Sequence, residues 1–492
     1  MKKPFYITTT LPYVNAVPHV GFAMEIIRVD VMARWKRLQG FDVFFNTGTD
    51  EHGLKIYRKA AELGKDTQEY VDENAAQYLK LKEVLNLSFD NFIRTTDKDH
   101  VEAAREFWRV CDKNGYIYKK KYQIKYCVGC ELEKTESELA GGKCPIHPNL
   151  ELELIAEENY FFKFSAFQKP LLDFYGTHPD FVVPDSRYKE IKSFVGRGLQ
   201  DFSISRLKSK MPWGIQVPGD PEQVAYVWFD ALVNYISAIG WPRDMEKFEK
   251  WQIESGGMVQ YCGKDNLRQQ SAMWQAMLMA SGLPNSKQIV IDGFVTGDGG
   301  VKMSKSLGNT VDPVEIVNEY GTDALRYFVL RELHPFEDTP FTLEKFKEAH
   351  NANLANGLGN LVSRVMKMAE MSEIRYQISD VGFWMSDVRD DDQYRNLLKK
   401  YEESLERYDI KAACDLIWDQ IQKTDRKIQE TQPFKLVKTD SEAGGKIIVE
   451  LLSRVEFIAE LLRPVLPFTS EKIFTTLKEG KSLATPLFPR KE

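Results

Sequence analysis

Two pairs of soft metal ligands, Cys127-Val-Gly-Cys130 and Cys144-Pro-Ile-His147, lie within 21 residues. Two residues separate the ligands of each pair, which is the spacing of a zinc knuckle. Four such donors close a tetrahedral shell and leave no position for a substrate, so a Zn2+ ion here would be structural and the knuckle would need it to fold. A redox Cys-x-x-Cys is the competing reading, but it has no use for the second pair. A different chemistry is written in Asp292-Gly-Phe-Val-Thr-Gly-Asp-Gly-Gly-Val-Lys-Met-Ser-Lys-Ser306. Gly297, Gly299 and Gly300 free its backbone to move, and the run then delivers Lys302 and Lys305 among Met303, Ser304 and Ser306. Cations on flexible stems in a glycine-rich loop suit a polyphosphate. Alone, the run is better read as a solvated turn with incidental lysines.

The lysine run has a counterpart near the N-terminus. Pro4-Phe-Tyr-Ile-Thr-Thr-Thr-Leu11 alternates like a buried strand, and Pro12 and Pro18 break the pattern. His19-Val-Gly-Phe22 then opens a helix from Ala23 to about Gln39, with Ile26, Ile27, Val31, Met32 and Trp35 at helical spacing. A strand, a tight turn and a helix N-terminus form an anion site, because unpaired amides and the macrodipole point at whatever binds there. A third group, Asp50-Glu51-His52, ends the apolar run that begins at Asp42. On a strand of an open parallel sheet these side chains stand where ligand groups collect; an acid-rich surface loop would look the same. Trp228 and Tyr235 fall on neighbouring turns and could wall one pocket, although plain core packing is the commoner fate of such aromatics.

These groups need strands that end in loops. Residues 66–116 read as helical and charged, with Leu85, Trp108 and Val110 as core positions. Glu158-Asn-Tyr-Phe-Phe-Lys-Phe164, Ser203–Arg206 with Trp213–Pro218, Tyr226-Val-Trp-Phe-Asp230, Val259–Asp265 and Gln288–Asp292 read as strands, with a helix from about Asn266 to Ala280. Beyond Asp312 come short amphipathic helices, and from Thr342 to about Leu477 the helical period is nearly continuous. The expected fold is α/β: a Rossmann-type doubly wound parallel sheet with an inserted zinc-knuckle connective domain and a C-terminal all-α helical bundle. The expected division is a sheet domain in two halves, 1–116 and 225–295, with an insertion at 117–224 that carries the knuckle at 127–147. The lysine loop and its following segment occupy 296–341, and the helical domain 342–492.

Bulk properties set limits. A chain of 492 residues exceeds what one hydrophobic core usually supports, which agrees with several domains. Its net charge of −6 gives no global attraction to nucleic acid, so any RNA contact must come from a local basic surface. Apolar runs are too short to span a bilayer and the first residues read as a strand, so a cytoplasmic protein with no membrane partner is expected. Six cysteines, three of them bunched, suit a reducing compartment with a metal site.

Leu11-Pro-Tyr13 ahead of His19, Thr49-Asp-Glu-His-Gly53, the knuckle, Tyr226–Asp230, Gly263-Lys-Asp265 and Lys302-Met-Ser-Lys-Ser306 occur in that order. Together they resemble the methionyl-tRNA synthetase family of the class I aminoacyl-tRNA synthetases. The segments at His19 and Lys302 are similar to the paired HIGH and KMSKS signatures of that class, and the resemblance runs from about residue 4 to the helical domain. It implies a two-step ligase reaction. L-Methionine and ATP give methionyl-adenylate and pyrophosphate, and the methionyl group then passes to tRNA(Met).

By the same resemblance, His19, Lys302 and Lys305 are catalytic, and with Gly21, Phe22, Met303, Ser304 and Ser306 they hold ATP, with Mg2+ bridging the phosphates. Asp50 and the Leu11 backbone would take the methionine ammonium group. Tyr13, Trp228, Leu232 and Tyr235 would enclose the thioether, with Asp265 and Gln270 completing the site. Asn360 and Arg364, one turn apart, and Phe434 would meet the anticodon. Three residues depart from the family pattern: Phe22 and Gln270 replace histidines, and Phe434 replaces a stacking tryptophan. A monomer is expected. Rival readings are a class I enzyme for valine, isoleucine, leucine or cysteine, and an inactive synthetase-like tRNA-binding protein. A nucleotide-dependent oxidoreductase would need a Gly-x-Gly-x-x-Gly after the first strand, which is not there.

Overall fold

The computed structural model describes residues 2–15, 17–134, 138–297, 310–374, 376 and 392–492. It divides into two compact units, one of Met1–Pro18, Asp42–Lys82 and Phe89–Ile291 and the other of His19–Phe41, Glu83–Ser88 and Asp292–Glu492.

A six-stranded sheet organises the first unit, in the order Asn91–Arg94, Asp42–Thr49, Pro4–Thr8, Val259–Gly263, Gln288–Asp292, Val182–Val183. The pairings are parallel, with Phe5 opposite Val43, Ile7 opposite Val259, Gly48 opposite Ile93 and Ile289 opposite Val182. Parallel strands are covered on both faces, which is why Asp42–Thr49 and Gln288–Asp292 read as apolar runs. Chain order reverses between Pro4–Thr8 and Val259–Gly263. In sheets of this kind ligands bind beyond the carboxyl ends of the strands at such a switch point. One face is packed by a core that includes Phe107, Trp108, Phe229, Trp241 and Trp274.

A second sheet is antiparallel and runs Leu132–Lys134, Ile117–Cys127, Glu153–Phe162, Phe202–Ser203. Its long hairpin pairs Ile117 with Phe162 through to Tyr126 with Glu153, and the knuckle turn springs from its far end.

Several strand assignments differ from the sequence reading. Tyr226–Asp230 is not a strand: Val227–Ala231 is a short helix, and the buried carboxylate of Asp230 lies within it. Four consecutive apolar residues, Tyr226–Phe229, carry no period that separates the two states. Residues 66–116 are not helical throughout, because the edge strand Asn91–Arg94 separates helices Thr67–Val84 and Lys98–Lys113. Inside the segment expected as an insertion, Val182–Val183 joins the parallel sheet, a strand too short to show alternation. Trp213–Pro218 makes only a single bridge, Gln216 to Val224.

In the second unit the helix Val20–Leu38 is held by two buried arginines. Arg28 pairs with Asp292 at 3.2 Å and donates to the carbonyls of Val329, Leu333, His334 and Pro335. Arg326 pairs with Asp30 of that helix at 2.8 Å and donates to the carbonyls of Leu85, Pro464 and Val465. From Leu343 to Glu479 the described residues form helices, including Asn360–Met371, Ile410–Thr431, Ser441–Leu462 and Pro467–Glu479. That agrees with the expected all-α bundle. Among the described residues no helix is long and apolar enough to cross a membrane.

The Arg28 pair makes a pH prediction. Burial raises the Asp292 carboxyl from 3.8 to about 6 even though Arg28 opposes the shift. The folded chain therefore holds this proton more tightly than the unfolded one, so the carboxyl's contribution to stability falls as pH rises from about 4 to about 6 and is level above. Relative to Asp292→Asn, the wild type should lose about 3 kcal/mol over that window. Melting temperatures of both proteins measured across it check this, and a constant difference would show a carboxylate already ionised at the acid end.

Candidate active site

Asp50 follows the strand Asp42–Thr49 at the carboxyl edge of the sheet, where an isolated parallel bridge ties it to Tyr13. The bridge is backbone: Asp50 N–H donates to Pro12 O at 3.0 Å and Val14 N–H to Asp50 O at 3.1 Å. The side chain is buried and its Oδ1 has no hydrogen-bond partner. Burial, then the neighbouring charges of Asp230 and Glu131, push its carboxyl well above the usual range. The two residues after it are occupied. Glu51 accepts from Arg94 through both oxygens, at 2.7 and 2.9 Å, and from Thr49 and Thr96. His52 Nδ1 donates to Asp230 Oδ2 at 2.7 Å, while His100 Nε2 donates to Asp230 Oδ1 at 2.8 Å. Burial works to raise the Asp230 carboxyl, but the two histidines hold it below its ordinary value.

Asp230 thereby locks the short helix Val227–Ala231 to the loop that carries Asp50. The helix presents Trp228, which packs with Tyr13 on Tyr126, Tyr226 and Val227 and whose indole Nε1 is buried without a partner. Leu232 and Tyr235 are buried in the adjoining core. Gln270 fills the position of the expected histidine. It donates from Nε2 to the Tyr235 hydroxyl at 2.8 Å and accepts at Oε1 from Gln260 Nε2 at 2.9 Å. Ser286 donates in turn to Gln260 Oε1, and Gln275 Nε2 donates to Ser286 Oγ at 3.0 Å. Every bond of this relay points its proton toward Tyr235. Leu11 is half-buried in the loop after the first strand, and Asp265 stands exposed on the turn Lys264–Asn266 after the switch-point strand.

The four knuckle residues converge: their ligand atoms all lie within 4.8 Å of one another. Cys130 Sγ is 3.4 Å from Cys144 Sγ and 3.1 Å from His147 Nδ1, and Cys127 Sγ is 3.8 Å from that nitrogen. Tetrahedral zinc with ordinary bond lengths separates its ligands by about 3.6 to 3.8 Å, so the cluster fits a metal ion. Gly129 is required in the turn, since a Cβ there would stand 2.6 Å from the His147 ring. None of the six cysteines is joined in a disulfide.

In the second unit His19 caps the helix Val20–Leu38, its Nδ1 accepting from the N–H of Gly21 at 3.0 Å. Phe22 lies half-buried in the first turn. Lys302, Met303, Ser304, Lys305 and Ser306 lie outside the described residues. Asp292 and Val311, which stand before and after that segment, both attach to the His19 helix, Asp292 through Arg28 and Val311 through its carbonyl, which accepts from Val20 N–H at 3.0 Å. Asn360 is exposed at the start of its helix, and Arg364 is ion-paired to Asp425. Phe434 is 45% exposed, two residues after Gln432, which ends the helix Ile410–Thr431 in a left-handed conformation.

Sequence reasoning did not find Arg94, His100, Glu131 or Gln260. None belongs to a local motif, and each matters through a residue that is distant in the chain. His100 alone carried a signal, as a histidine on the apolar face of a helix. The knuckle also carries a prediction. Metal analysis should give about one zinc per chain, and chelation should lower the melting temperature and release the thiols to titration. A folded preparation with no metal and unreactive thiols would remove the assignment.

Comparison with known proteins gives one consistent result. The family profile described as tRNA synthetases class I (M) matches residues 5–151 and 148–366. The methionine–tRNA ligase of Caldanaerobacter subterraneus subsp. tengcongensis is 41% identical over 99% of this chain and 75% of its own length. That of Nostoc sp. is 40% identical over 97% of this chain and 91% of its own. Among solved structures, Mycobacterium tuberculosis methionyl-tRNA synthetase in complex with methionyl-adenylate superimposes with a TM-score of 0.88 at 37% identity, covering 96% of this chain and 93% of that one. Its apo form gives 0.82 at 32% identity, covering 100% and 99%. With the motifs in order, Asp50 bridged to Tyr13 at the carboxyl edge of the sheet, and these likenesses along nearly its whole length, the chain belongs to the class I methionyl-tRNA synthetase family.

Proposed function

We propose that this chain attaches L-methionine to tRNA(Met) in two ATP-dependent steps. The observation that carries the reading is the Asp50 carboxylate, buried at the switch-point end of the sheet with one oxygen lacking a protein partner. A buried carboxylate that is not answered by a partner is costly, and an α-ammonium group is the partner of matching size and sign. From that anchor the side chain of an amino acid extends past Tyr13 and Trp228 toward Tyr235, where an unbranched thioether fits among aromatic rings with about 0.3 to 1.5 kcal/mol per contact.

The substrate carboxylate then attacks the α-phosphorus of ATP, forming a phosphorus–oxygen bond as pyrophosphate leaves with the bond's electron pair. Catalysis of such a step is mainly positioning and charge stabilisation. His19 would serve the α-phosphate side. Lys302 and Lys305 would neutralise the β- and γ-phosphates, with Mg2+ carried by the nucleotide. Attachment of Asp292 and Val311, before and after the lysine segment, to the His19 helix supports this pairing. In the second step the methionyl group passes from the adenylate to the terminal ribose of tRNA and AMP leaves. Asn360, Arg364 and the exposed Phe434 ring would read the anticodon, the ring by stacking on an unpaired base. The Cys127–His147 knuckle would hold a structural zinc that takes no part in either step.

ATP–pyrophosphate exchange measured with each of the twenty amino acids should respond to methionine. Exchange driven by another amino acid would refute the substrate, and none at all would refute the activity. Asp50→Asn should raise the methionine KM by about tenfold or more, the range expected for a hydrogen bond to a charged group, with the ATP KM little changed. Lys305→Ala should do the reverse, cutting the rate of exchange while methionine binding is preserved. Phe434→Ala should raise the KM for tRNA in aminoacylation and leave exchange unaltered.

A further inference from the structure

Glu131 stands immediately after the knuckle ligand Cys130, in a left-handed backbone conformation with φ of +53°. A glutamate adopts that conformation only where its surroundings enforce it. Its side chain is buried and collects three donors from three separate segments. Oε1 accepts from the Tyr13 hydroxyl at 3.0 Å and from the backbone N–H of Lys55 at 2.8 Å, and Oε2 accepts from the Tyr126 hydroxyl at 2.6 Å. Room for this is made by Gly53, at φ +120°, where a Cβ would stand 2.2 Å from the Tyr13 hydroxyl oxygen. Tyr13 is thus gripped at both ends, its backbone by the bridge to Asp50 and its hydroxyl by Glu131. Its ring packs, like that of Trp228, on Tyr126, Tyr226 and Val227.

We propose that Glu131 is a positioning residue of the amino-acid site, setting the Tyr13 ring against the substrate side chain from a backbone position fixed by the knuckle. The inference rests on the reading of Tyr13 as part of the methionine site. A strained backbone, a glycine kept clear opposite it and three converging donors are more than a buried carboxylate needs for its own satisfaction. Their common product is a tyrosine that is held in one place before substrate arrives.

Glu131→Gln, Tyr13→Phe and their combination test it, each measured by methionine KM and ATP KM in pyrophosphate exchange and by equilibrium binding of methionine without ATP. Glu131→Gln should raise the methionine KM and dissociation constant about tenfold, because its amide cannot accept from Tyr13, Tyr126 and Lys55 together. The ATP KM should stay within about twofold, zinc content should remain as in the wild type, and the double variant should bind methionine no more weakly than the worse single one. An unchanged methionine KM in Glu131→Gln, or effects of the two substitutions that multiply, would overturn the proposal. Tyr126→Phe removes one donor from the same carboxylate without touching Tyr13. It should also raise the methionine KM, and a normal value there would overturn the proposal even if Glu131→Gln does not fold. Failure of the wild type to exchange with methionine would instead remove the reading of the site itself.

Discussion

Four carboxylates, those of Asp50, Glu51, Glu131 and Asp230, are buried in the first unit close enough for Asp50 to feel the other three. Charge in a medium of low dielectric is tolerable only when it is answered by donors. Three of them are. Glu51 has Arg94 and two threonines, Asp230 has two histidines, and Glu131 has two tyrosines and a backbone amide. Those bonds fasten the loop after the second strand, the helix that bears Trp228 and the knuckle turn into one frame. Asp50, in the middle, keeps one oxygen that the protein does not answer. Of these four acids, Asp50 is the one whose burial leaves an oxygen without a donor, which is the imbalance behind the proposed ammonium site.

The second unit solves a related problem with the opposite sign. Arg28 and Arg326 are buried guanidiniums, and each is answered by one aspartate and several carbonyl oxygens. A planar fork of five donors suits this use, where an ammonium would leave carbonyls unpaired. Segments far apart in the chain, around Leu85, Leu333 and Val465, converge on the helix Val20–Leu38 in this way. That helix, with His19 as its N-cap, is therefore fixed by the protein's own contacts.

Local chemistry was legible in the sequence, and long-range chemistry was not. Ligand spacing alone located the knuckle, and the order of six motifs located the family, because both signals are carried by residues a few positions apart. The parallel sheet was legible through its apolar runs, apart from the two-residue strand Val182–Val183 and the edge strand Asn91–Arg94, which are too short or too polar to show a period. Val227–Ala231 was misread as a strand because a short apolar run has no period of its own, and the bonds of Asp230 to His52 and His100 that hold the helix come from elsewhere in the chain. Glu131 and Gln260 gave no signal at all. Each looks ordinary among its neighbours, and each acts through a tyrosine more than twenty positions away or through another amide.

The relay from Gln275 through Ser286, Gln260 and Gln270 to Tyr235 is made wholly of amides and a hydroxyl. None of these linkers gains or loses a proton between mild acid and mild base, and their dipoles are aligned in one sense. A histidine in the place of Gln270 would bring tautomers and a titration near neutrality to this relay. With the amide there, the bond that holds the Tyr235 hydroxyl is a fixed dipolar contact, indifferent to acidity.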